Sequence, residues 1–213
     1  TGSVGKCCKE LGWDVVSVDL LLPADHQVDI MEFNYKQYPK DHFSIIWASP
    51  PCTNYSLLKK CWFGRKLKDG TIYNKKLNEK EMEEADKLGL KSLEIINYFN
   101  PEYWFMENPQ TGSLKHREII KGLPYYDVDY CMYSDWGYKK RTRIWTNKKD
   151  WNNKLCDGSG ACGNMVGSLH KTNLGNSDRI KRANTLNVNK YNGTSQHDRY
   201  RIPSDLIYSL FLD

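Results

Sequence analysis

No apolar run in this sequence approaches the roughly 18 residues that a membrane-spanning helix needs. The opening residues carry no secretory leader pattern, so an intracellular setting is expected. A disulfide rhythm is missing too. The seven cysteines are an odd number, and only Cys7 and Cys8 are close neighbours. Such usage fits a reducing compartment. Glycines open the chain, but no full Gly-x-Gly-x-x-Gly occurs and no Walker pattern follows, so the glycines alone are a weak signal for a cofactor site. Histidine is scarce, at 5. His42 lies at the wrong end of its segment to pair with a nucleophile, which argues against a Cys–His hydrolase. There is no internal repeat.

What remains is a globular composition, 39% hydrophobic over 213 residues, enough for one domain with a real core. Net charge is +5, which permits a nucleic-acid partner without requiring one. The organising stretch is Ile45-Ile46-Trp47-Ala48-Ser49-Pro50-Pro51-Cys52. It reads as a buried strand ending in a turn that two prolines stiffen, with one thiol presented at its end. Ligands of α/β sheets bind at that end of the strands. The plain alternative is a buried, inert thiol.

Upstream, Thr1-Gly2-Ser3-Val4-Gly5 runs into an expected helix around Cys7–Leu11, closed by Gly12. Val15-Val16-Ser17-Val18 reads as a strand that ends on Asp19, an acceptor suited to the two hydroxyls of a ribose. Val28-Asp29-Ile30 offers a second acidic turn, suited to an adenine amino group. A nucleoside cofactor is the reading these turns support.

Residues 59–76 carry Lys59, Lys60, Arg65, Lys66, Lys68, Lys75 and Lys76 against Asp69 alone, with Trp62, Phe63 and Tyr73 between them. Such a segment can neutralise phosphates and close as a lid, or be an ordinary basic loop. Asn78 opens an expected helix to Phe99, and Asn100-Pro101 stops it. Tyr103–Met106 reads as a buried strand delivering Glu107 at its end, followed by an expected helix from Thr111 to about Lys121. Asp127–Tyr133 and Lys139–Thr146 read as an antiparallel hairpin at the sheet edge, with Arg141 and Arg143 on one side. Asn147–Gly193 is rich in Asn, Gly, Lys and Ser and reads as irregular. Cys156, Cys162 and His170 lie there, but the Cys-x5-Cys spacing is unusual and no fourth ligand stands out, so no metal site is assigned. Ser204 is expected to cap a last helix through Phe211.

In this order and spacing the motifs resemble those of the DNA (cytosine-5) methyltransferase family, in its compact phage and large-DNA-virus form. Ser49-Pro50-Pro51-Cys52 matches the family's Pro-Cys motif. Glu107-Asn108-Pro109 matches its Glu-Asn-Val motif, with proline in the last place. Lys139 to Arg143 matches Gln-x-Arg-x-Arg, with Lys139 in the glutamine place. Thr1–Gly5 is similar to the tail of the Phe-x-Gly-x-Gly motif, its strand expected to precede this numbering. Gly175-Asn176 is a stand-in for a late Gly-Asn motif. The likeness covers residues 1 to about 146 and 199 to 211.

The resemblance implies an α/β, Rossmann-like fold that depends on S-adenosylmethionine, with a mostly parallel sheet and an antiparallel edge hairpin. It implies a catalytic core over 1–146, a reduced target-recognition region over 147–198, and a C-terminal helix over 199–213 that packs back on the core. Thr1, Gly2, Ser3, Val4, Gly5, Asp19, Leu20, Asp29, Ile30 and Pro50 are the implied cofactor residues. Cys52, Glu107, Arg143 and Arg141 are the implied catalytic set. Cys52 would attack C6 of a flipped cytosine, Glu107 would hold N3 and the amine, and Arg143 would support O2. Double-stranded DNA is the implied partner, for a monomer or weak dimer. If the protein is viral, host cytoplasm or nucleus is its expected place. An RNA cytosine-5 methyltransferase and a catalytically inactive nucleic-acid-binding relative are the alternatives.

Overall fold

A computed structural model describes residues 2–174 and 192–212. The chain groups into two compact units, one of Val16–Tyr126 with Arg143–Lys149, the other of Thr1–Val15, Asp127–Thr142 and Asp150–Asp213.

In the first unit, Asn74 decides where the long helix begins. Its side chain accepts from the Leu77 N–H at 3.0 Å and starts α2, Lys75–Phe99. The start falls three residues before the expected Asn78, because an Asn N-cap satisfies an otherwise orphaned donor there. Asn100, left-handed at φ 45°, ends the helix before Pro101. Strand β1, Ile45–Ala48, runs parallel to β2, Tyr103–Pro109, in the register Ile45↔Tyr103 to Ala48↔Met106.

The four-stranded sheet has the order β1-β2-β4-β3, where β3 is Tyr125–Asp129 and β4 is Arg141–Thr146. Just past β4, the Asn147 side chain bonds the Trp104 N–H and the Glu102 carbonyl at the start of β2. The end of β4 therefore lies at the beginning of β2, and the two strands are antiparallel. The Thr146 N–H to Pro124 carbonyl bond and the Tyr130 N–H to Lys140 carbonyl bond share one antiparallel register between β3 and β4. The expected edge hairpin is present in a mixed sheet, with β4 running against its neighbours.

Two clusters pack around α2. One gathers Tyr55, Ala85, Met106, Leu114, Ile120 and Trp145, the other Phe33, Tyr35, Ile95 and Phe99.

Three expected elements differ. Val15–Val18 is no strand among the described residues, and only Val18 makes a bridge, to His26. A strand is held by a ladder of neighbours, and this segment has a single rung. Thr111–Lys121 is not an α-helix but two 3-10 turns, Leu114–His116 and Glu118–Ile120. Between them Arg117 is extended, because its guanidinium is drawn to Asp86, at 2.8 and 2.6 Å, and to Glu79 on α2. The expected Asp127–Tyr133 strand begins earlier and gives way to a 3-10 turn at Tyr130–Met132.

In the second unit, helix α1 spans Ser3–Glu10, four residues earlier than expected at its start. Helix α3 is Gln196–Tyr200, started by a capping box between Ser195 and Asp198. Helix α4 is Ser204–Leu212. Ser204 is the first helical residue of α4 rather than its cap, since the Ile207 N–H donates to the Pro203 carbonyl. Helices α1 and α4 pack together, with Trp13 stacked on Phe211 at 5.6 Å and the Tyr208 hydroxyl on Glu10. No described helix is long and apolar enough to cross a membrane.

Candidate active site

Cys52, Glu107 and Arg143 all belong to the first unit. The parallel register pairs Ala48 with Met106, so Ser49, just past the end of β1, lies beside Glu107 in β2. Neighbouring strands lie about 4.8 Å apart. The Asn108 side chain fixes this arrangement by donating to the Pro50 carbonyl at 2.9 Å. That bond ties the stiff Pro50-Pro51 turn to the end of β2. Asn108 is buried, and its Oδ1 has no protein partner among the described residues. A buried acceptor left over beside a turn is a group suited to meet a ligand donor. Glu107 is buried at 7% exposure, whereas Cys52, in a helical conformation at φ −85° and ψ −8°, is half-buried.

Antiparallel pairing of β4 with β2 sets the beginning of β4 near the end of β2 that carries Glu107. Arg143 lies there, and its guanidinium sits 3.6 Å from the centre of the Tyr125 ring on β3. Stacking on an aromatic face holds the plane of an arginine. Arg141 is differently engaged. It makes a two-point pair with the fully buried Asp129 at 3.0 and 2.6 Å. Asp129 and its own burial both act on the Arg141 guanidinium, and the net effect raises its pKa. Lys139 joins the same carboxylate at 3.5 Å.

The segment that follows Cys52 is moored to α2. The Tyr55 N–H donates to the Cys52 carbonyl at 3.1 Å, and the Tyr55 hydroxyl donates to Asp86 at 2.9 Å. Burial, and then the Asp86 bond, push the Tyr55 hydroxyl far above its usual range. Asp86 is therefore shared by Tyr55 and Arg117. Further along, Lys59 is buried, against its expected role as a phosphate contact. It reaches Glu81 at 2.5 Å and Asn54 at 2.8 Å. The Tyr73 hydroxyl, buried and pushed up to about 12, reaches the same Glu81 at 2.5 Å. Burial works against the Glu81 charge, but the bonds from Lys59 and Tyr73 outweigh it and hold its carboxyl below the ordinary range.

The expected basic segment is thus fixed at its root. Its tip is a short hairpin around the Lys66–Ile72 bridge, where Lys60, Arg65, Lys66 and Lys68 are exposed beside Trp62 and Phe63. Asp86→Ala leaves the Tyr55 hydroxyl without its partner and Arg117 with Glu79 alone. Breaking a largely buried ion pair from one side costs about 3 kcal/mol. We expect the variant to unfold at correspondingly lower urea, while Lys87→Ala at the exposed neighbouring position leaves the midpoint within about 0.5 kcal/mol. Equal midpoints for the two variants in urea titrations would contradict this account of the mooring.

Of the expected cofactor residues, Asp19, Leu20, Asp29, Ile30 and Pro50 lie in the first unit and Gly2, Ser3, Val4 and Gly5 in the second. Thr1 and the Gly175-Asn176 pair lie outside the described residues. Asp19 Oδ1 accepts from the Leu21 and Leu22 N–H groups, both at 2.8 Å, and Asp29 Oδ1 accepts from the Met31 N–H at 2.9 Å. Each carboxylate is thus aimed by its own turn. Leu20 is exposed at 56%, whereas Ile30 packs on the Phe33–Phe99 cluster. Gly2 is left-handed at φ 66° and stands before the first turn of α1, where a Cβ would meet nothing within 4 Å. Two aimed carboxylates suit the hydroxyls and amine of an adenosyl group, and an open glycine suits close backbone approach.

Asn108 and Asp86 were not among the expected site residues. Asn108 is adjacent to Glu107 in the matched motif, and that adjacency was the available signal. No local pattern marks Asp86, which lies in the middle of α2.

No family model matches the sequence. A curated protein of Frog virus 3 (isolate Goorha), named "Probable DNA (cytosine-5)-methyltransferase", is 37% identical over 212 residues, covering 99% of this chain and 94% of that protein.

Proposed function

Because this chain belongs to the DNA (cytosine-5)-methyltransferase family, we propose that it methylates C5 of cytosine in DNA through a covalent bond between Cys52 and C6 of the base. The observation that carries the reading is the common strand end shared by the Pro50-Pro51-Cys52 turn and Glu107, closed by the Asn108–Pro50 hydrogen bond. A Rossmann-like fold, with a core over 1–146 and a reduced target-recognition region over 147–198, is part of the same proposal.

C5 of cytosine is a poor nucleophile. Addition of a thiolate at C6 pushes the ring electrons toward C5 and N3 and overcomes this. The target base must leave the stack to be reached. Cys52 Sγ bonds to C6. Glu107 holds N3 and the exocyclic amine, and supplies the proton that N3 takes up as charge develops there. Arg143, its plane steadied by Tyr125, donates to O2. S-adenosylmethionine, when bound, supplies the electrophilic methyl group. After C5 has been methylated, its proton leaves to a base, the electron pair re-forms the C5–C6 double bond, Cys52 departs as thiolate, and N3 returns its proton to Glu107. Asp19 and Asp29 would hold the ribose and adenine of the cofactor, with Leu20 and Pro50 of the same unit as further cofactor residues, and residues 1–5 of the second unit are proposed as cofactor residues as well. Arg141, which pairs with Asp129 in the second unit, is proposed as a member of the catalytic set as well. The protein is proposed to work as a monomer or weak dimer inside the infected cell.

The test is direct. The full chain is incubated with methyl-labelled S-adenosylmethionine and either duplex DNA or RNA, and the modified nucleosides are separated. Label in 5-methyl-deoxycytidine is expected. Label only in RNA, or on the exocyclic amine, would refute the proposal.

The exposed tip of the basic hairpin is expected to contact phosphate. Replacing Lys60, Arg65, Lys66 and Lys68 together by alanine should weaken DNA binding and lower the slope of log K against log salt by up to about 3–4, each lost phosphate contact removing about 0.9. Lys59 is left out because its removal would strand Glu81. An unchanged slope across a salt series would remove the hairpin from the DNA interface.

A further inference from the structure

We propose that Cys131, Cys156, Cys162 and His170 form a four-ligand zinc site that pins residues 156–170 to the turn after β3. All four belong to the second unit. Their ligand atoms lie within 4.8 Å of one another. His170 Nε2 stands 3.6 Å from the sulfur of Cys156 and 3.6 Å from that of Cys162. A tetrahedral zinc with Zn–S near 2.3 Å and Zn–N near 2.0 Å requires an S···N edge of about 3.5 Å. The two S···N edges match within about 0.1 Å, and the donor types match as well.

Three separate segments supply the ligands. Cys131 comes from the 3-10 turn Tyr130–Met132, and Cys156 and Cys162 flank a glycine-rich loop. His170 stands on β6, Leu169–His170, which pairs with β5, Met165–Val166, in the register Met165↔His170. The Gly167-Ser168 turn, with Gly167 at φ 60°, closes that hairpin and sets the register of the histidine.

The supporting shell is built as well. Asn164 is buried at 2% exposure. Its amide donates to the carbonyls of Cys131 and Ser134 at 2.8 Å and of Cys162 at 3.0 Å, and its oxygen accepts from the Gly137 N–H at 3.0 Å. The Cys156 N–H donates to Asp129 at 2.8 Å, and Lys139 donates to the Cys156 carbonyl at 2.7 Å. Partners of this kind orient metal ligands. Three thiolates and Zn²⁺ leave one net negative charge, and Lys139 is at hand to offset it.

The need for a metal follows from what this segment lacks. Between residues 157 and 172 the only buried side chain is that of Asn164, while Val166 and Leu169 are exposed at 69% and 48%. No apolar core orders this stretch. With all four positions filled by protein, the site is structural rather than catalytic. Binding exchanges the thiol protons for the metal, with no redox step.

The experiment uses the full chain, without a histidine tag, purified under reducing conditions and free of chelator. Elemental analysis is expected to give about one zinc per chain, and stripped protein titrated with Co²⁺ should show the visible bands of a four-coordinate thiolate site. Cys162→Ser and His170→Ala should each lose the zinc, and Cys61→Ser should keep it. Chelation of the wild type should open residues 157–173 to protease. Wild-type protein that holds less than about a tenth of an equivalent and gives no cobalt spectrum would overturn the proposal. So would full zinc retention in a Cys162→Ser, His170→Ala double variant. Each readout is metal content or local order, so the outcome is independent of whether the chain methylates DNA.

Discussion

Cys52→Ser is expected to lower single-turnover methyl transfer by about 10⁴-fold or more, with DNA affinity changed by less than about 3-fold. The rate loss follows from the chemistry at one atom. A thiol is a few per cent ionised at neutral pH and its thiolate is an intrinsically strong nucleophile, whereas a serine hydroxyl is neither. Without addition at C6, C5 keeps its low reactivity, and no other described group stands in the Pro50–Cys52 turn to replace the sulfur. The substitution changes one atom. The turn itself is held by backbone and by Asn108, through the Pro50 carbonyl, and the Tyr55 N–H bonds the Cys52 carbonyl rather than its side chain. The geometry should therefore survive, and a loss of DNA binding is not anticipated. Labelled-cofactor turnover with gel-shift titration separates the two effects. A variant that methylates at the parental rate would remove Cys52 from the mechanism.

Glu107→Gln should cost about 10²–10⁴-fold in the same single-turnover rate, the usual worth of a positioned proton donor. Glutamine has the size of glutamate, so the burial of this position at the end of β2 is kept. What it loses is the ability to share a proton with N3 while still accepting from the amine. The effect should fall on the rate and not on cofactor binding, because Asp19 and Asp29, aimed by their own turns, are unaltered. Calorimetric titration with S-adenosylmethionine would check the second half. A rate within 3-fold of the parent would assign Glu107 a packing role only.

Much of this arrangement was written in local pattern. Two prolines after an apolar run marked the end of β1, and the long apolar periodicity with Asn100-Pro101 marked α2 and its end. Glu107 was legible as the charge that follows four apolar residues, but its burial at 7% exposure inside β2 was not. Other features depend on partners far along the chain. Lys59 sits in a run of basic residues and resembles its neighbours until Glu81 and Tyr73 are seen across from it. The turns at Leu114–His116 and Glu118–Ile120 follow from Arg117 meeting Asp86, a pairing 31 residues apart. Cys131 carries no spacing signal toward Cys156, because a metal site assembled from three segments has no fixed period. Helix α3 and its capping box between Ser195 and Asp198 were not expected from the sequence. Val15–Val18 had the composition of a strand but lacks the ladder partner that composition cannot supply.

The covalent step is tested most directly with duplex DNA in which cytosine is replaced by 5-fluorocytosine. Fluorine at C5 cannot leave as a proton does, so an enzyme that adds through sulfur becomes trapped after methyl transfer. In the presence of S-adenosylmethionine the wild-type chain should form a denaturant-stable adduct, and peptide mass spectrometry should locate the methylated base on Cys52. An enzyme that methylates ordinary cytosine yet yields no adduct, or yields one on a different residue, would contradict the account.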